Sequence, residues 1–193
     1  MTAQLAIPNS FTSNIHKFTV QQYHLMHEAG VFAVGDRYEL INGEIREMSP
    51  IGIKHAVCVA KTARLFQIKL GDKAIIWSQN PIRLSNHSEP QPDLAILKWR
   101  DDFYASALPT PEDILLIIEV ADSTIAYDRD VKSPLYAANG IPEMWIFDLN
   151  QQIIEGYSQP SASGYKRSQR YEKGDTLAID AFPEVIFNWE ALF

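Results

Sequence analysis

Cysteine is almost missing from this sequence. Cys58 stands alone among 193 residues, so no disulfide framework can form within the chain, and a lone thiol fits a reducing compartment. It reads as a small buried hydrophobe on a helix. Long apolar runs are missing too: the longest, Ile114 to Ile118, is far too short to cross a bilayer. The start, MTAQLAIPNSFTSNIHKF, has neither the basic opening nor the apolar stretch of a signal peptide. A cytoplasmic protein without membrane contact is therefore expected. Positive charge is also scarce. Seventeen Lys and Arg against 24 Asp and Glu give a net charge of −7 and a pI of about 5.2. That excludes a simple basic nucleic-acid binder. An enzyme acting on nucleic acid is still allowed, because a carboxylate-rich metal site adds negative charge and basic residues can be grouped locally. There is no P-loop, no glycine-rich dinucleotide turn and no G-x-S-x-G elbow. The five histidines show no zinc spacing, and with one cysteine a zinc site is not expected.

What is present suits one domain. The chain is 46% hydrophobic, enough to bury a sizeable core at this length. Residues 1–17 read as a loose arm and residues 18–193 as a single domain, without an internal repeat or a linker that would split it. Thr19-x-x-Gln22 is a capping box that opens a helix, with Gly30 as its stop. In RYELINGEIREMS two short strands flank Asn42-Gly43, the strongest short hairpin signal. A second helix is predicted over residues 53–70, with Val59, Ala63, Phe66 and Leu70 on one face and Lys54, Lys61 and Arg64 near the opposite one. AIIWSQNPIRL, QPDLAILKWR and ILLIIEVAD read as strands, the last apolar enough for a central strand covered on both faces. A loop at ADSTIAYDRD precedes a helix around residues 131–138, which Asn139-Gly140 and Pro142 end. EMWIFDL is another strand, and the remainder reads as β-hairpin structure with a turn at residues 161–164. This order implies an α/β protein with a mixed sheet and helices packed on it.

Three segments can carry chemistry. Asp93, in Pro92-Asp93, opens a strand. Glu119 lies near the end of the apolar strand, and Lys132 lies just inside the following helix. A lone carboxylate beside Ile117, Ile118 and Val120 is costly to bury unless something compensates it. A divalent cation does so when a second carboxylate lies nearby. Mg²⁺, with Mn²⁺ as substitute, takes oxygen ligands and is usually held by one or two carboxylates. It polarises a phosphoryl oxygen and activates water, while a lysine orients that water or offsets developing charge. Two such carboxylates without a metal repel each other, so one pKa should rise, and Asp93→Asn is expected to stabilise the metal-free protein. Each residue also has a plainer reading. Asp after Pro is common at turns, Glu119 could pair with Arg or Lys, and most lysines are solvated. Asp122, Ser123 and Thr124 suit capping of the loop, His55 could approach the site but better suits a surface or structural helix start, and Tyr136, Trp145 and Phe147 suit the core. Lys166, Arg167, Arg170 and Lys173 gather near the C-terminal hairpin, either as a solvated face or as a phosphate-contacting patch.

The stretches YELINGEI, PQPDLAIL, LLIIEVADST and YDRDVKSPLYAANGIPEMWIFDL resemble the Uma family, a domain of unknown function within the PD-(D/E)XK nuclease superfamily. They span most of the chain from Glu39 to Asp148. The resemblance implies a restriction-endonuclease-like fold: a central mixed β-sheet flanked by helices, with N-terminal and C-terminal β-hairpins. It matches Asp93 and Glu119 to the metal-binding acids and Glu39 to an additional N-terminal acid that joins the metal site. The superfamily's usual lysine sits two residues after the second acid. That position is Ala121 here, and the resemblance points to Lys132, on the next helix, in its place.

The expected activity is Mg²⁺-dependent hydrolysis of DNA phosphodiester bonds by metal-activated water, with Asp93, Glu119 and Lys132 catalytic. Cutting both strands with one site per chain is simplest for a two-fold dimer. The alternatives are an inactive binding or assembly module that keeps the fold, favoured by the acidic charge, and a hydrolase of another phosphate ester.

Overall fold

The computed structural model describes residues 15–33 and 35–193. Most of the arm expected over residues 1–17 lies outside them. Helix α1 (Val20–Glu28) begins at the expected capping box. The Thr19 hydroxyl accepts from the Gln22 N–H while the Gln22 side chain accepts from the Thr19 N–H. Strands β1 (Tyr38–Ile41) and β2 (Glu44–Glu47) form the expected hairpin. Its turn residues, Asn42 at φ 51° and Gly43 at φ 76°, are both left-handed. Gly43 is required twice over, because a Cβ there would sit 2.6 Å from Lys17 Cβ. The Gly43 N–H donates to His87 O and the Glu89 N–H to Leu40 O, which ties the hairpin to the segment leading into the sheet. This tie fixes the position of Glu39.

Helix α2 (Ile53–Leu70) buries Cys58, Val59, Thr62, Phe66 and Leu70. Six strands make the central sheet: β3 (Ala74–Ser78), β4 (Leu94–Lys98), β5 (Ile114–Ala121), β6 (Glu143–Asp148), β7 (Ile153–Ser161) and β8 (Gly164–Tyr171), in that spatial order. Only β5 and β6 run parallel, so the sheet is mixed. A parallel pair needs a crossover, and here it is helical: α3 (Ile125–Tyr127), a π-helical turn over Asp128–Lys132, and α4 (Ser133–Ala138). An antiparallel pair, β9 (Thr176–Ile179) with β10 (Phe182–Asn188), and helix α5 (Trp189–Leu192) complete the chain.

Two apolar clusters sandwich the sheet. One joins α2, α5 and the β9–β10 pair to Leu116, Ile118 and Val120 of β5. The other joins α4 and part of the N-terminal hairpin to Ile114, Ile117 and Ala121 of the same strand. Strand alternation explains the split from Leu116 onward, a register shift against β4 between Ile114 and Leu116 turns Ile114 to the other face, and β5 is the doubly covered central strand expected from its composition.

Two boundaries differ from the sequence reading. AIIWSQNPIRL is strand only as far as Ser78, because Gln79 takes a left-handed φ of 49° and Pro81 has no N–H for a ladder. The crossover is helical from Ile125 rather than from residue 131. Pro134 cannot donate to a carbonyl one turn back, and the helix passes through a π turn just before it. That turn carries Lys132.

Candidate active site

Glu39, Asp93, Glu119 and Lys132 come from four separate segments and line one cleft of about 600 Å³. Strand pairing accounts for two of them. Leu94 of β4 pairs with Ile118 of β5, so the preceding residue, Asp93, falls beside Glu119 at the same end of the sheet. The strand itself begins at Leu94, one residue after the acid. Glu119 shares its face with Ile117 and Ala121, under the crossover helix. Lys132 descends from that helix. Its Nζ lies 3.1 Å from Glu119 Oε1 and 3.5 Å from Glu39 Oε2. Glu39 also accepts the Gln91 N–H at 3.2 Å.

Charge is unbalanced in this cluster. Glu39, Glu119 and Asp128 are each 3% exposed, and Lys132 is 5% exposed. Burial drives the Glu119 carboxyl up to about 8, with Asp128 and Asp93 adding to the rise and Lys132 and Tyr136 opposing it. Burial also raises the Asp128 carboxyl. On Lys132, burial favours loss of the proton, but Glu119, Glu39, Asp128 and Asp93 together outweigh it and hold the ammonium charged well above its usual range. One ammonium thus faces four carboxylates.

Asp93 behaves oppositely to Glu119. Burial alone would raise its carboxyl, but the hydrogen bond from His55 and the Val120 N–H more than offset burial and keep it below the usual carboxylate range. Asp93 Oδ2 lies 3.0 Å from His55 Nε2 and accepts the Val120 N–H at 2.9 Å. Oδ1 accepts from Gln79 Nε2 at 3.3 Å. The acid that rises is therefore Glu119. The donors that hold the ionised Asp93 argue for a loss rather than a gain in stability from Asp93→Asn.

Sequence reasoning gave two residues here the plainer reading. His55 does not point away from the cleft; it lines it and touches Asp93. Tyr136 is a core aromatic, fully buried as expected, yet its hydroxyl donates to Glu119 Oε1 at 2.7 Å. Its position four residues after Lys132 places both on one helix face, a signal the sequence held. Asp122, Ser123 and Thr124 also line the cleft, and the Thr124 hydroxyl donates to Asp128 at 2.8 Å. Lys166, Arg167, Arg170 and Lys173 are exposed on and just after β8 and do not line the cleft.

The donors facing the cleft are mainly carboxylate oxygens, which suit Mg²⁺ or Mn²⁺ in kind. Among the described residues, no three His, Cys, Asp or Glu side chains are grouped so as to hold an ion. The residues therefore fit an ion held by one or two carboxylates with water completing its shell, and do not fit a closed protein cage.

The model of the Uma2 family, described as "Putative restriction endonuclease", matches residues 20–190. No curated protein matches the chain. A solved structure described as a "putative nuclease belonging to DUF820", from Anabaena variabilis, is similar in fold. Its TM-score is 0.67 at 16% identity, covering 81% of this chain and 89% of that one. No helix among the described residues is long and apolar enough to cross a membrane.

Proposed function

The chain belongs to the Uma2 family, and from that premise we propose that it is a Mg²⁺-dependent endonuclease that hydrolyses DNA phosphodiester bonds with metal-activated water. The observation that carries the reading is the convergence of Glu39, Asp93, Glu119 and Lys132 on one cleft. Asp93 and Glu119 would hold the ion, and Glu39, the third acid expected there, would stand beside it facing Lys132. When bound, the ion supplies Lewis acidity toward water and the phosphoryl oxygen. Its charge also offsets the burial, and with it the neighbouring Asp128 and Asp93, that push the Glu119 carboxyl up. Lys132 stays charged, which favours electrostatic stabilisation of the transition state over proton abstraction. Arg37 and Arg46 add positive charge to the cleft wall, where a phosphate backbone needs it.

The same reading takes residues 18–193 as one domain working in the cytoplasm, as a two-fold dimer when both strands are cut. Supercoiled plasmid incubated with the protein and Mg²⁺ or Mn²⁺ should be nicked, and EDTA should stop the reaction. Asp93→Asn and Glu119→Gln should each abolish it. A second reading, an inactive binding or assembly module that keeps the fold, draws on the absence of a closed metal cage among the described residues. Retention of DNA without nicking in either ion would favour it over catalysis. Cleavage of a small phosphate ester but not of DNA would indicate a different hydrolase.

A further inference from the structure

We propose that His55 is the positioning residue for Asp93, holding that carboxylate in the orientation from which it meets a divalent cation. The inference rests on the nuclease reading of the cleft. His55 sits in the first turn of α2, on an element that carries none of Glu39, Asp93, Glu119 and Lys132. Its Nε2 is 3.0 Å from Asp93 Oδ2, and the two side chains are only 15% and 14% exposed. The other ring nitrogen, Nδ1, is buried without a partner among the described residues.

These facts select one tautomer. In the neutral ring an N–H on Nδ1 would be buried with no acceptor among the described residues, so the proton belongs on Nε2, where Asp93 accepts it. A ring fixed that way donates to the acid and nothing else. The Val120 N–H reaches the same oxygen at 2.9 Å, and Gln79, in a left-handed backbone at φ 49°, reaches the other at 3.3 Å. Asp93 thus has donors from α2, from β5 and from the residue that ends β3. The Val120 donor is main chain and the Gln79 contact is long, so His55 is the strong side-chain contribution to the acid's orientation. Partners of this kind, which touch a ligand and not the metal, typically alter metal affinity by roughly 10- to 100-fold.

The test uses the whole chain and Mn²⁺ alone as the probe. By calorimetry, His55→Ala should weaken Mn²⁺ binding by roughly 10- to 100-fold in a protein that still folds, its melting temperature lowered no further than that of Asp93→Asn. His55→Gln, whose amide nitrogen can reach the place of Nε2, should recover most of that loss. In plasmid nicking the change should fall on kcat with KM for DNA nearly constant. Long-range ¹⁵N–¹H spectra of the metal-free protein, taken at a pH where the ring is neutral, should show His55 as the Nε2–H tautomer, and Asp93→Asn should disturb that signal. Equal Mn²⁺ affinity in His55→Ala and the unaltered protein would overturn the proposal alone. So would His55→Gln behaving no better than His55→Ala in a folded protein, or an Nδ1–H tautomer in the spectra. An unaltered protein that neither binds Mn²⁺ nor cuts DNA would instead overturn the nuclease reading, and the metal-facing role of His55 with it.

Discussion

Two buried glutamates sit on neighbouring parallel strands, at opposite ends of the sheet and on opposite faces. Burial drives both carboxyls up, Glu143 to about 7 and Glu119 to about 8. By that measure they are the same kind of residue. Their partners differ. Glu143 accepts from Trp145 Nε1 on one oxygen and from the Asp180 N–H on the other, at 2.7 and 2.8 Å. Both oxygens are used, both donors are neutral, and the bond to Asp180 ties the β9–β10 turn to β6. Glu119 takes Lys132 and Tyr136 on a single oxygen, Oε1, and lines a cleft. A raised carboxyl alone does not mark a working acid. What distinguishes Glu119 is a cation beside it, other acids close by and open space in front.

The largest expected effect separates the two ends of the sheet by activity. Lys132→Met should cut plasmid nicking by roughly 100- to 1000-fold, the usual cost of losing one donor to transition-state charge. Mn²⁺ binding should survive, because the acids remain. Glu143→Gln should leave nicking within about twofold, a change too small to matter on the scale of ~1.4 kcal/mol per tenfold. If Glu143→Gln were as damaging as Lys132→Met, the line drawn between a structural and a working glutamate would be wrong.

Stability against pH sharpens the comparison next. Both carboxyls titrate above their ordinary value of 4.5 when folded, so the folded chain keeps protons that the unfolded chain has released. Their contribution is whole below about pH 4.5 and is lost as pH rises through about 7 for Glu143 and about 8 for Glu119. The expected loss is on the order of a few kcal/mol for each group, at ~1.4 kcal/mol for every tenfold difference in proton affinity between the folded and unfolded chain. Glu143→Gln should flatten the melting curve's pH dependence up to about pH 7, and Glu119→Gln up to about pH 8. Saturating Mn²⁺ should restore only the Glu119 part. Asp93 runs the other way: its carboxyl is held low, so its contribution is present above its ordinary value and is lost in acid. Asp93→Asn should therefore lower the melting temperature at neutral pH, by about 1–3 kcal/mol in stability for the hydrogen bonds it disrupts. Mn²⁺ stabilising Glu119→Gln as much as the unaltered protein would detach Glu119 from the ion.

Much of this layout was legible in the sequence, and the reasons are local. A capping box, an Asn-Gly turn and a helical apolar stripe report short-range physics, so α1, the β1–β2 hairpin and α2 are found where expected. The apolar run Ile114–Ile118 announced a central strand, and alternation put Glu119 and Ala121 on one face. Asp93, Glu119, Glu39 and Lys132 were named as candidates, and the fold brings them to one cleft. What stayed hidden depends on contacts between distant segments. His55 and Asp93 are 38 residues apart, and nothing near His55 in the chain indicates which way its ring turns. The rise expected for one acid of the pair falls on Glu119 and comes chiefly from burial, with Asp128 and Asp93 adding to it. Without the His55 and Val120 donors in view, Asp93 and Glu119 could not be ranked. Tyr136 was assigned to the core because apolar burial and a hydroxyl bond to a buried acid leave the same mark in a sequence.

The smallest expected effect comes from a matched pair of substitutions, each removing one neutral donor from a buried glutamate. Tyr136→Phe deletes the hydroxyl 2.7 Å from Glu119 Oε1 and changes little else in a ring that is fully buried. Trp145→Phe deletes the indole N–H 2.7 Å from Glu143 Oε1 and also removes volume from the core, where Trp145 packs edge-on against Phe66 and Phe187. Tyr136→Phe should cost about 1 kcal/mol of stability, the net worth of one hydrogen bond. Trp145→Phe should cost more, because a space left in a close-packed core adds to the lost bond. Activity should rank them in the reverse order. Without the tyrosine, Glu119 leans only on Lys132, so the acid's orientation loosens and nicking should fall several-fold. Without the tryptophan, Glu143 keeps its Asp180 bond at the far end of the sheet, and nicking should not change. Denaturant melts and plasmid nicking on the same two proteins measure both orders at once. Should the more destabilised protein also prove the slower nuclease, activity would be following overall stability, and the special place of Glu119 would have to be argued from Lys132 alone.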